Sequence, residues 1–222
     1  MCGRFSFAIS EKIIEEHFGF VPENYQARYN CAPSQTLAVI SNQDTGRFSY
    51  FKWGFVPFWA KDLSVGSKMI NARAETVSSK PAFRQALQAR RCLVPADSFY
   101  EWSHDAGKTP FRIMLNGTPL FTMAGIWSEW TTPQQEIIAT FAILTIESNT
   151  LVRQLHQRMP VILDTKEAEN TWLKSDSEAE LQQLCAPIAA EKMSIYPVSI
   201  KVNSPKNDGP GLHQQVNQTK LF

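Results

Sequence analysis

Cys2 follows the initiator methionine directly, so loss of Met1 would leave a chain beginning Cys2-Gly3-Arg4-Phe5. A small second residue is the kind that ordinary processing exposes. A terminal cysteine carries two nucleophiles. Its α-amine titrates at about 7.7 to 8.0, well below the roughly 10.4 of lysine, and its thiol near ~8.5. This 1,2-aminothiol condenses with an aldehyde through the amine, and the thiol then closes onto the imine carbon to give a thiazolidine ring. The closure is intramolecular, so the adduct outlives an open imine. Gly3 lets backbone approach a ligand closely, and Arg4 places a fixed positive charge two residues from the nucleophile, suited to a phosphate. An incidental cysteine is the competing reading, and these neighbours weigh against it.

Other residues could share a site with it. In Asn71-Ala72-Arg73-Ala74-Glu75 the period of a strand puts the three polar side chains on one face and the alanines on the other. Tyr100-Glu101-Trp102 sets a carboxylate between aromatics, where desolvation would raise its pKa towards that of a working acid or base. His156-Gln157-Arg158-Met159-Pro160 joins a histidine, an arginine and a proline. An exposed strand, a surface carboxylate and a capping histidine are the plainer alternatives.

Composition excludes several classes of function. The chain has 222 residues, 43% of them apolar, enough for a sizeable core. No stretch approaches the ~20 apolar residues of a membrane span, and no secretion signal is evident, so a cytoplasmic, non-membrane protein is expected. Cys2, Cys31, Cys92 and Cys185 form no Cys-x-x-Cys pair and have no histidine at zinc spacing. No metal and no cofactor are expected. Lys plus Arg number 22 against 21 acidic residues, so any polyanion must be met locally. Arg73, Lys80, Arg84, Arg90 and Arg91 against the single Glu75 form one local basic excess, for which a solvated helix face is at least as good a reading.

The elements that position these residues read as follows. Ser10 caps a short helix carrying Ile13, Ile14 and Phe18, with Pro22 beyond its end. Strands are predicted at 36–40, 48–53, 69–75, 92–95, 99–103, 111–115, 120–127, 140–145 and 195–202, with a hairpin turn over 42–46. Helices are predicted at 81–89, 150–157 and 166–185. Strands arrive in hairpin succession, so the expectation is α+β: one domain over 1–222, a mostly antiparallel β-sheet core and flanking helices. From about 204 the chain reads as a loop-like, mobile tail.

Taken with Tyr29-Asn30-Cys31-Ala32-Pro33, Trp53-Gly54 and Phe99-Tyr100-Glu101-Trp102, the motifs at Cys2, Asn71 and His156 resemble the SRAP family (SOS-response-associated peptidase), also called abasic site processing proteins. The resemblance implies covalent capture of abasic sites in single-stranded DNA by Cys2, in the DNA damage response, with lyase activity by β-elimination and self-reversal. It implies that Asn71 orients the Cys2 amine, that His156 protonates the ring oxygen of the closed sugar, and that Glu101 handles protons during imine formation and reversal. For DNA binding it points to Arg4, Asn30, Arg73 and Arg158, with Pro33 and Trp59 as stacking faces. Some members have two adjacent tryptophans where this chain has Trp59-Ala60, and Phe55 is expected in the core. A monomer is expected. A thiol peptidase using Cys2 with His156, confined to Met1 or wider, and a non-covalent single-strand binder are the alternatives.

Overall fold

The structure is a computed structural model and describes residues 2–104 and 107–216. Met1, whose loss the chemistry of Cys2 requires, and the end of the tail from 217 lie outside the described residues. The strands are β1 (Phe5–Phe7), β2 (Arg28–Cys31), β3 (Thr36–Ser41), β4 (Asp44–Trp53), β5 (Asn71–Arg73), β6 (Arg91–Ala96), β7 (Ser98–Trp102), β8 (Pro110–Leu115), β9 (Phe121–Thr131), β10 (Ile137–Glu147), β11 (Arg158–Pro160), β12 (Ile162–Leu163) and β13 (Met193–Pro197). Four α-helices accompany them: α1 (Glu11–Phe18), α2 (Arg84–Ala89), α3 (Lys166–Lys174) and α4 (Glu178–Gln183). The mostly antiparallel α+β expectation holds.

Two sheets form. The smaller runs β13-β8-β7-β1-β2 and is antiparallel throughout. In the larger, β4, β3, β6 and β9 follow one another, and β10 pairs with both β9 and β4, closing a ring of strands that leaves no open edge among them. β9 and β10 are buried along most of their length, which is why apolar side chains fill both faces instead of alternating strictly with polar ones. At Gly125 the strands leave no room for a side chain: a Cβ there would lie 2.7 Å from Cys92 Sγ. β10 is also parallel to β5, with Ile143 opposite Asn71 and Thr145 opposite Arg73. One core, including Phe5, Trp53, Phe99, Ile113, Trp127 and Phe141, is shared by both sheets.

α2 packs against β6 and β9, and α3 against β6 and β12. α1 starts after Ser10, whose side chain makes no capping bond, and ends at Gly19, which takes φ 83° and donates its N–H to Glu15 O at 2.7 Å. Arg91 is buried and its guanidinium donates only to main-chain carbonyls: Leu87 and Gln88 at the end of α2, and Trp172, Leu173 and Ser175 at the end of α3. One cation thus satisfies the orphan carbonyls of two helix ends and interacts well with both dipoles.

Several expectations are corrected here. Residues 150–157 hold only a short 3-10 turn, Val152–Gln154, because Asn149 Oδ1 takes the Val152 N–H at 2.9 Å and the chain turns back at once into β11. The helix predicted over 166–185 breaks at Ser175, which is extended, and Ser177 caps α4 by accepting from Glu180 N. The strand predicted over 195–202 is β13 followed by a 3-10 turn, Ile200–Asn203. The tail is no loose end up to 216: residues 199–216 form a strap across the smaller sheet. There Val202 and Leu212 are buried on Tyr100, Asp208 pairs with Arg28 at 2.5 Å, and Val198 bridges Gln215. The basic excess is not one patch either, because Arg91 is interior and Arg90 lies on the Trp127 ring and pairs with Glu129.

Candidate active site where the two sheets meet

Cys2 lies at the head of β1, in the smaller sheet, and is fully buried. The pairing of Phe5 with Phe99, carried two residues towards the amino terminus, sets Gly3 opposite Glu101 on β7. Asn71 reaches across from β5 of the larger sheet and donates Nδ2 to the Cys2 carbonyl at 2.9 Å. Asn71 Oδ1 is buried with no hydrogen-bond partner among the described residues. The carboxamide is therefore clamped at one end while its acceptor awaits a donor, a costly arrangement unless a ligand or a new amine fills it.

Glu101 is 4% exposed. Burial pushes its carboxyl up to about 6, against the pull of the positive amino terminus. Burial also drives the Cys2 thiol far above its ordinary range, and the charge of Glu101 adds to the rise. The thiol is accordingly protonated at neutral pH and stays so without a base beside it.

His156 lies in the turn between β10 and β11, half-buried. Its carbonyl accepts from Ser148 Oγ at 2.8 Å, and its Nδ1 accepts the Arg158 N–H at 2.9 Å. Nδ1 also lies 3.3 Å from the Arg158 carbonyl oxygen, which accepts from it when that nitrogen carries the proton. Burial, the positive amino terminus, His104 and the charge of Arg158 hold the imidazole below its ordinary range, opposed in part by its backbone hydrogen bond to Arg158.

The structure distributes the expected DNA contacts unequally. Arg73 is exposed, and its side chain makes no hydrogen bond or ion pair among the described residues. Trp59 is 60% exposed and Pro33 half-exposed. Phe55 is in the core, edge-on to Phe83. The loop carrying Trp59 is held by backbone contact between Gly54 (φ 133°) and Gly66, where a Cβ on Gly54 would lie 2.8 Å from Gly66 O. The Trp53-Gly54 motif thus works through the packing of a loop.

Three residues are placed otherwise than expected. Asn30 is fully buried, and its Nδ2 donates to the carbonyls of Val202, Ser204 and Asn207 while Oδ1 accepts from Arg4. It anchors the strap and has no surface to offer a nucleic acid. Arg4 commits its guanidinium NH1 to Asn30 and to Val202 O at 2.6 Å, with Nε buried and without a hydrogen-bond partner among the described residues. Arg158 is paired bidentately with Glu75 at 2.6 and 2.8 Å and also donates to Thr145 O. Its Nε, too, is buried without a partner.

Sequence reasoning gave no role to Glu75 as the mate of Arg158, nor to His104, whose ring stacks on His156 with centroids 6.5 Å apart at 29°. Only the position of His104, three residues after Glu101, signals its involvement. Among the described residues no group of acidic, histidine and cysteine side chains is arranged to hold a metal, and no helix is long and apolar enough to cross a membrane.

Residues 1–205 match the family described as SRAP, SOS response associated peptidase. A relative from Bacillus subtilis (strain 168), abasic site processing protein YoqW, is 46% identical over 221 residues, spanning 96% of this chain and 98% of its own. Abasic site processing protein HMCES of Gallus gallus is 35% identical over 84% of this chain and 65% of its own. Among solved structures, a protein from Bacteroides thetaiotaomicron is similar with a TM-score of 0.88 at 30% identity, covering 97% of this chain and all of that one.

Proposed function

Because the chain belongs to the SOS response associated peptidase family, we propose that it captures abasic sites in single-stranded DNA as a thiazolidine on Cys2. The DNA substrate is supported by relatives named abasic site processing proteins. The observation that carries the chemistry is the Asn71 carboxamide, fixed to the Cys2 carbonyl through Nδ2 and left with a buried, unpartnered Oδ1. Once Met1 is lost, the new amine of Cys2 is the donor that oxygen lacks.

The steps follow from the groups in place. His156 protonates the ring oxygen of the closed deoxyribose, releasing the aldehyde. The Cys2 amine, held by Asn71 Oδ1, adds to the carbonyl carbon, and loss of one water leaves an imine. Sγ then adds to the imine carbon, its proton passing by way of the Glu101 carboxylate to the nitrogen. The sum is aminothiol plus aldehyde going to thiazolidine plus water. Glu101, at about 6, is ionised enough at neutral pH to take the thiol proton and acidic enough to return it, so the same group serves reversal. β-Elimination from the imine is the lyase branch.

Arg73 meets a flanking phosphate, and the exposed Trp59 with Pro33 supports unstacked bases, which suits a single strand. A peptidase reading requires a ready thiolate, and the burial of the Cys2 thiol opposes it.

Intact mass before and after mixing with an abasic single strand tests the proposal. We expect a chain lacking Met1 that gains the mass of the strand less one water. Cys2→Ser keeps the amine and is expected to leave an adduct only after borohydride reduction. A wild-type chain with no adduct, or an undiminished one in Cys2→Ala, overturns the reading.

A further inference from the structure

We propose that His104 and His156 form a stacked pair in which His104 is the solvent-side positioning residue that replenishes the proton of His156 and whose charge disfavours a second charge there. It rests on His156 being the proton donor of the reaction above. His104 belongs to the hairpin joining β7 to β8. The base of that hairpin is pinned by Ser103 N–H to Thr109 O and Thr109 N–H to Ser103 Oγ, both 2.9 Å. The strand that supplies Glu101 therefore also delivers His104. Its exposed ring lies against the half-buried ring of His156, at 6.5 Å and 29°.

His156 gains a proton with difficulty on its own. Nδ1 faces the Arg158 N–H at 2.9 Å, which opposes a proton on that nitrogen, as well as the Arg158 carbonyl oxygen at 3.3 Å. The charged groups acting on it are the amino terminus, Arg158 on β11 and His104 on the hairpin, all positive or able to become so. An exposed ring has access to water from which protons can be passed inwards, and a positive charge on one ring disfavours a second on its neighbour.

The experiment is an NMR titration of the His156 ring in the wild type, His104→Phe and His104→Asn. Phe keeps the cover over His156 without the charge, and Asn removes both. Two unit charges at the 6.5 Å ring separation, in a dielectric near that of water, shift a midpoint by about half a pH unit. The midpoint of His156 is expected to rise by that amount in both variants, and the pH limb of capture to move with it. No rise in either variant overturns the pair. A rise in Asn alone also overturns it, reducing His104 to a shield against water. If the wild type makes no adduct while the midpoints move, the capture reading fails and the pair stands.

Discussion

Replacing Glu101 by Gln preserves the shape of a side chain that is 4% exposed and removes its charge. Burial lifts the carboxyl from its ordinary 4.5 to about 6, so the folded state binds this proton more tightly than the unfolded state does. Between those two values the native protein holds the extra proton. The stability it contributes is complete below about 4.5 and is lost as pH rises through about 6. The gap is worth about 2 kcal/mol. Glu101→Gln is therefore expected to match the wild type at pH 4 and to exceed it by about 2 kcal/mol at pH 8, a rise in Tm of roughly 4 to 8 °C for a chain of this size. Urea unfolding across that range measures it. Capture moves the other way. The ionised fraction of a group at about 6 grows from about one tenth at pH 5 to about nine tenths at pH 7, so the wild-type rate gains nearly tenfold over that interval. Glu101→Gln is expected to be slow throughout and to lose this limb. An equal stability difference at pH 4 and pH 8 would refute the burial argument, and capture by the variant at the wild-type rate would refute the proton role.

Two further outcomes separate binding from folding. Trp59→Ala removes a ring that is 60% exposed, so stability is expected to stay within about 0.5 kcal/mol. Affinity for an intact single strand should weaken by about 1 to 3 kcal/mol, roughly 5- to 150-fold in Kd; unchanged affinity would remove Trp59 from the interface. Arg91→Met leaves the carbonyls at the ends of α2 and α3 buried and without their donor, and is expected to cost more than about 3 kcal/mol in urea unfolding. Capture per folded molecule should be unaltered, and a loss of capture without a loss of stability would contradict a purely structural Arg91.

Where burial follows from local pattern, the residues announced their places. The alternation in Asn71-Ala72-Arg73 put Ala72 inside and Arg73 outside, because β5 is short and has one covered face. Phe55 went to the core within the buried run 54–57, and Trp59 to the surface in the turn that follows it. A raised carboxyl at Glu101 was expected from its aromatic neighbours, but Tyr100 and Trp102 pack with the strap on the opposite face of β7, so the burial behind the rise was set by tertiary packing. Asn30 proved buried, and Arg4 and Arg158 proved to carry intramolecular contacts that the sequence did not announce, because arginine and asparagine suit a phosphate and a buried carbonyl equally well. The carbonyls of Val202, Ser204 and Asn207 that occupy Asn30 come from some 170 residues away, 172 in the case of Val202.

The place of Cys2 directly after Met1, the strand-rich α+β character and the set of candidate groups were determined by the sequence alone, since they depend on residue order, side-chain chemistry and short-range periodicity. Tertiary structure decided the rest. The pairing of β10 with β9, β4 and β5 brings Asn71 to the Cys2 carbonyl, the strap takes up Asn30 and Arg4, and the β7–β8 hairpin lays His104 on His156. Those contacts join residues far apart in the chain, or depend on how a turn is pinned. No local propensity encodes which distant partner will complete a hydrogen bond.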